Sequence, residues 1–400
     1  MQMKGLVISN ARMVLPDTVL DGHLVVEQGR IRQILPADRA VPRQEGFAHL
    51  DAQGRYVLPG LVDIHSDAIE KEVQPRPNTL FPMRMAMVEL EKKLAAAGIT
   101  TMYHSLSLGV GLSLRGEDKL LALIDEIVDY RRRRSMVRHL IHLRYELIHL
   151  EGIERVRERI DRGVVDYLSF MIHAPGIGQY NKPGSFEAYV MKNQGVTRAE
   201  AEDIARSALE RKERVRWDEV ARIAEHAAQK GIAIASHDDD SPDMVDRYRR
   251  LGVTISEFPI TLDVARYVRR LGMHVCVGAP NVIRGQSHDG NLSATEAIED
   301  GSADLLCSDY HPPALLPAVF HLHGRGMPLP EAVRMASLNP ANALGLGGTG
   351  AIREGYRADL LLIELMEGYP VVRSTLVDGV TVYSSDYYVR REPGRSEPVG

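Results

Sequence analysis

Histidine, aspartate and glutamate recur in this sequence at spacings a strand can use. In Asp63-Ile64-His65-Ser66-Asp67, His65 and Asp67 stand two residues apart. Strand positions two apart project from one face, so this pair is able to chelate one ion. His142, Arg144 and Glu146 repeat the spacing in HLIHLRYEL. Further apolar segments carry such groups at or near their ends: DYLSFMIH at His173, IAIASH at His237, TISEFP at Glu257 and DLLCSD at Asp309. A lone strand-end histidine is more often a hydrogen-bonded structural residue than a ligand. Here six of eight candidate strands carry His, Asp or Glu at or near their ends, and a shared site is the better reading. Imidazole and carboxylate without a thiolate suit zinc, manganese, iron or nickel in an open catalytic site. Cys276 and Cys307 read as packing residues, and His104 as a satisfied barrel histidine.

A second set of residues reads as anion capture. Arg76 lies between Pro75 and Pro77, and proline's fixed φ lowers the entropy lost on binding. Arg284 and His288 share the glycine-flanked loop GAPNVIRGQSH, and Arg144 projects from a strand. Guanidinium forks match phosphate oxygens better than an ammonium does. The plainer alternative for each arginine is a surface or ion-pairing role.

Such scattered groups need a frame that gathers them. Candidate strands at 58–64, 100–105, 139–147, 166–173, 232–237, 254–259, 274–280 and 304–309 alternate with helix-like segments such as 84–97, 117–134 and 199–229. The repeat predicts an α/β fold, a (β/α)8 barrel of the TIM type, with its chemistry at the C-terminal strand ends. An open doubly wound sheet is the rival, but no G-x-G-x-x-G opens a helix after the first strand. Residues 4–57 run in short apolar stretches with turn signals at Asp21-Gly22 and Gln28-Gly29, and the far end repeats the pattern around Asp378-Gly379. Each end is too small to fold alone. Together they predict a small β-sandwich from 1–57 and 349–400, around a barrel of 58–348.

Composition sets the outer bounds. The 400 residues are 44% hydrophobic and 26% charged, as in ordinary globular proteins. Lysine and arginine total 49 against 54 acidic residues, a net charge of −5. That balance argues against a nucleic-acid or membrane partner. No apolar run of transmembrane length and no signal-like start is visible, so a cytoplasmic protein is expected. Two cysteines are too few for a disulfide framework.

The segment LPGLVDIH (Leu58 to His65), the split β-sandwich and the eighth-strand aspartate resemble the amidohydrolase superfamily. HSDAIEKEVQPRP, HLRYEL, ASHDD, ISEFPIT, GAPNVIRGQSH, SDYHP and SLNPANALGL are similar to its phosphonate-metabolism branch, over most of residues 4–382. The resemblance implies metal-dependent cleavage of a phosphorylated ribose, α-D-ribose 1-methylphosphonate 5-triphosphate, to the 5-phosphate and diphosphate. It implies one or two divalent ions, zinc first. His65 and Asp67 stand where most members have H-x-H, and His237 matches the fifth-strand ligand. Glu146 is the available carboxylate where the bridging lysine is missing, and Glu257 replaces the sixth-strand histidine. Asp309 matches the eighth-strand aspartate that takes a proton from the attacking water. His173 or His237, with Arg76, Arg144, Arg284 or His288, would meet the anionic substrate and leaving group. A homodimer is expected. Superfamily membership alone favours a C–N bond, in a cyclic amide or a deaminated base. The H-x-D pair and the arginines favour the phosphorylated substrate. A non-catalytic scaffold is disfavoured because His65, Asp67, His237 and Asp309 occur together.

Overall fold

The computed structural model describes residues 4–41, 45–76, 79–109, 116–133, 135–285 and 291–385. Five strands open the chain: β1 (Gly5–Val14), β2 (Val19–Glu27), β3 (Arg30–Pro36), β4 (Phe47–Asp51) and β5 (Tyr56–Pro59). Eight follow, alternating with helices: β6 (Leu61–Ser66), β7 (Ile99–Leu108), β8 (Arg138–Glu146), β9 (Tyr167–Met171), β10 (Ala233–His237), β11 (Ile255–Glu257), β12 (His274–Gly278) and β13 (Leu305–Cys307). Three close the chain: β14 (Leu360–Met366), β15 (Tyr369–Val377) and β16 (Val380–Ser384).

Both chain ends build one mixed sheet, ordered β16-β15-β14-β5-β1-β2-β3, with β4 also beside β1. Its core holds Ile8, Met13, Leu24, Ile31, Val57 and Leu360. Two of its turns are as the sequence predicts. Gln28-Gly29 and Asp378-Gly379 have φ near +50° and +75° in each case, the two-residue hairpin geometry that suits strand twist. Asp21-Gly22 is different: it lies inside β2, paired with Arg12 and Ala11. There a Cβ on Gly22 would fall 2.0 Å from the Leu35 carbonyl oxygen. The glycine admits a neighbouring strand instead of making a turn.

The eight middle strands form a parallel sheet in chain order, β6 to β13. A parallel bridge between Ser66 and Asp309 joins its two edges, with Asp67 N–H donating to the Asp309 carbonyl (2.8 Å) and Asp309 N–H to that of His65 (2.9 Å). This is the expected (β/α)8 barrel, and Asp309 helps to close it. Alternation then sorts the side chains. On β8, Ile141 and Leu143 join the core shared with the surrounding helices, while His142 packs against Tyr167 and His65 inside. Val62, Ile64, Tyr103, Ala235, Ile255, Cys276 and Cys307 fill the barrel interior. Three residues at or just past C-terminal strand ends, Asp238, Phe258 and Asp309, have φ of 56°, 56° and 57°. That conformation is uncommon for non-glycine residues, and outside turns such positions cluster at functional sites. No helix among the described residues is long and apolar enough to cross a membrane.

Candidate active site

A cavity of about 250 Å³ opens at this end of the barrel. Of the residues expected at a site, it gathers His65, Asp67, Arg144, His173, His237, Arg284 and Asp309. His65 and His237 have ring centres 5.4 Å apart, and His173 lies 5.8 Å from His237.

Each imidazole has a carboxylate beside it. His173 is gripped by Glu146, which accepts from its backbone N–H (2.9 Å) and contacts Nδ1 at 2.7 Å. Its Nε2 lies 3.7 Å from Asp238 Oδ2. Burial opposes a charge on His173, but Glu146 and Asp238 outweigh it and lift its pKa to about 9. Burial likewise works against ionised Asp238, yet His237 and His173 hold its carboxyl well below the usual range. His65 is kept neutral by burial, then by Arg144 and His237. Its Nδ1 stands 2.9 Å from Glu257 Oε1, without the alignment of a hydrogen bond. Glu257, wholly buried, accepts from Tyr167 O–H at 3.0 Å. His142 lies between the hydroxyls of Ser105 and Ser169, 2.9 Å from each.

Two groups complete the electrostatics. Burial pushes Asp309 up to about 7, helped by Asp67 and Asp238 and opposed by Arg144 and Lys71. Arg144 is only 7% exposed. Its Nη2 donates to His237 Nε2 at 2.9 Å, its Nε is buried without a partner, and no carboxylate pairs with it among the described residues.

Other expected residues stand elsewhere. Glu146 spends both oxygens on His173, behind the cavity wall. Glu257 lies below His65. Arg76 is exposed and bridges to Thr79; it does not line the cavity. His288 falls outside the described residues. The cavity also holds residues the sequence did not single out, among them Asp238, Gln179, Tyr180 and Tyr310.

The donor set fits a divalent ion. His65 Nδ1 and His237 Nδ1 are buried, each near a carboxylate oxygen (2.9 and 3.1 Å) yet without a hydrogen bond. Leaving such atoms unsatisfied costs about 1–3 kcal/mol each, and an ion held between nitrogen and oxygen would satisfy them. Among the described residues, His65 with His142 and Glu257, and His173 with His237 and Asp238, bring donor atoms within 4.8 Å of one another.

Residues 149–382 match the amidohydrolase family. The chain belongs to that family. Among its relatives, α-D-ribose 1-methylphosphonate 5-triphosphate diphosphatase of Escherichia coli K12 is 34% identical over 366 residues, covering 89% of this chain and 94% of the relative. Solved structures of amidohydrolase-type enzymes share the fold. The β-aspartyl dipeptidase of Fervidobacterium islandicum superposes with a TM-score of 0.64 at 15% identity, over 95% of this chain and 97% of that one. The L-hydantoinase of Arthrobacter aurescens gives 0.62 at 17% identity, over 95% and 96%. At such identities the likeness speaks for the amidohydrolase fold alone.

Proposed function

We propose that this amidohydrolase is a metal-dependent hydrolase of phosphonate metabolism that cleaves α-D-ribose 1-methylphosphonate 5-triphosphate to the 5-phosphate and diphosphate. The observation that carries this reading is Arg144. A buried guanidinium without a carboxylate is costly, and an anion entering the cavity would supply the missing partner. Phosphate oxygens suit that fork. A neutral cyclic amide would leave it unmatched. The 34% identity to the Escherichia coli diphosphatase supports the same substrate class.

His65, Asp67 and His237 would hold the ion, with Glu257 beside His65 and Glu146 gripping the ring of His173 from behind. When bound, the ion lowers the pKa of water and polarises a phosphoryl oxygen. Asp309, with its pKa raised to about 7, is suited to take the proton from water near neutral pH. Cationic His173 faces the charge that grows on the departing diphosphate. Arg144 grips the phosphoryl group deep in the cavity, and Arg284 meets the chain of phosphates at the mouth.

Phosphorus NMR of the purified protein with the ribose triphosphate, alongside elemental analysis, tests this. Diphosphate as the first product with bound divalent metal is the expected result. Orthophosphate appearing first, or turnover of cyclic amides with the triphosphate untouched, would overturn it.

A further inference from the structure

After β9 the chain leaves the barrel, makes a short turn at Gly178–Tyr180 and enters the helix Ser185–Gln194. Gln179, Tyr180 and Tyr189 of this segment wall the cavity. Two consecutive residues of it hydrogen-bond to groups at the strand ends. Gly178 N–H donates to Asp240 Oδ2, and Gln179 Nε2 donates to Asp238 Oδ2, both at 2.9 Å. Gly178 has a φ of 52°, and a Cβ there would stand 2.8 Å from Asp238 Cβ. The turn is therefore pressed onto Asp238 with no room for a side chain. Just behind it, Tyr180 meets His173 edge-on at 5.8 Å and packs against Phe186 at 5.2 Å.

Three groups converge on one oxygen of Asp238. Gln179 Nε2 is 2.9 Å away, His237 Nδ1 3.1 Å and His173 Nε2 3.7 Å. Of these three the amide forms the well-aligned hydrogen bond, and it brings no charge of its own. Asp238 sits at φ 56°, which turns its side chain out of the strand's alternation. Among the described residues, this amide is the turn's hydrogen-bond donor to that carboxylate.

We propose that Gln179 is a positioning residue: by donating to Asp238 it holds the carboxylate between His173 and His237, and so fixes both imidazoles for turnover. The kinetic part of this inference rests on the proposed hydrolase reading; the structural part does not.

Two variants test it. Gln179→Met keeps length and bulk but has no donor, and Gln179→Glu keeps the shape but turns a carboxylate on Asp238. In the metal-loaded enzyme, kcat for the ribose triphosphate should fall about ten- to a hundred-fold in Gln179→Met and further in Gln179→Glu. KM and metal content should hold. A raised KM with unchanged kcat would make Gln179 a substrate contact, and full activity in Gln179→Met would reduce it to packing; either overturns the proposal. The second readout needs no turnover. In spectra of protein with isotopically labelled histidine, Gln179→Met should shift the ring signals of His173 and His237 and leave those of His104 and His139 in place. Unmoved His173 and His237 signals would sink the positioning role. A wild-type enzyme inert towards the triphosphate, with those signals shifting as expected, would sink the substrate reading alone.

Discussion

The same barrel holds two sets of histidines in opposite surroundings. Between β7, β8 and the helices outside them, His104 and His139 stack 5.1 Å apart, with Nε2 of one 2.9 Å from Nδ1 of the other. His139 Nε2 reaches Glu91 Oε1 at 3.1 Å, and Glu91 also accepts from Tyr130 O–H (2.6 Å) and from the N–H groups of Met136 and Val137. That chain is sealed, and it ends in a carboxylate shared by four donors. At the cavity, His65 and His237 keep buried nitrogens beside carboxylates without bonding them, and no carboxylate among the described residues pairs with Arg144. Histidine content does not separate the two sets. Unmet hydrogen-bonding capacity facing an open space does, because buried polar groups are otherwise almost always paired.

If the contrast is functional, substitutions in the two sets should have opposite effects. The largest belongs to Asp309. Asp309→Asn keeps the shape and an acceptor but cannot take a proton, so kcat should fall by about 10²–10⁴ while bound metal is retained. Near-normal turnover would remove Asp309 as the base. Next comes Arg144→Met, which removes the buried charge and leaves an apolar stem. We expect kcat/KM for the triphosphate to drop about ten- to a hundred-fold, with an unfolding midpoint no lower than the wild type, since the lost guanidinium was uncompensated. A clear loss of stability would show that Arg144 is a structural residue.

How far the sequence disclosed this site depends on what each residue needed. His65 and Asp67, two apart, and His237 and Asp309, near strand ends, were legible because strand pleat and strand–helix alternation are periodic signals. Asp238 was not. It comes one residue after His237, where pleating would turn it away, and a φ of 56° brings it back to the cavity. Gln179 lies in an irregular turn, where no periodicity guides a reading. Glu146 shares β8 with Arg144, and Glu257 ends β11 just before Phe258, but spacing along a strand does not report depth. Glu257 ends up fully buried under His65. Arg76 shows that prolines on either side in sequence do not by themselves aim a side chain at the cavity. In the mixed sheet, Asp21-Gly22 had the composition of a turn, and only the approach of the Leu35 carbonyl reveals why glycine is there.

The sealed set should answer to stability alone. Glu91→Gln retains an acceptor but removes the charge that strengthens its bonds, a loss of about 1–2 kcal/mol, readable as a lower urea midpoint with kcat unchanged. A fall in kcat would link that chain to the cavity and dissolve the contrast.

The smallest effect is a change of slope. Burial, then His139 and Arg131, hold His104 well below its ordinary value of 6.5. The folded protein therefore refuses a proton that the unfolded chain accepts below that pH. Stability is complete above 6.5 and declines as pH falls, by up to about 1.4 kcal/mol per pH unit for this one group. His65 and His142 are also held neutral by burial, so the total slope mixes several residues, and a single variant is needed to isolate one. His104→Gln places an amide near the Nε2 position and does not titrate. Urea unfolding from pH about 7.5 down to about 5 should show the variant losing less stability on acidification, by close to one proton's worth of slope. Because His104 does not line the active-site cavity, that difference should be the same with and without a metal chelator. A difference that vanished on chelation would mean that the two histidine sets are coupled. An unchanged slope would mean that His104 is not held neutral, and that the sealed set is less completely satisfied than its hydrogen bonds indicate.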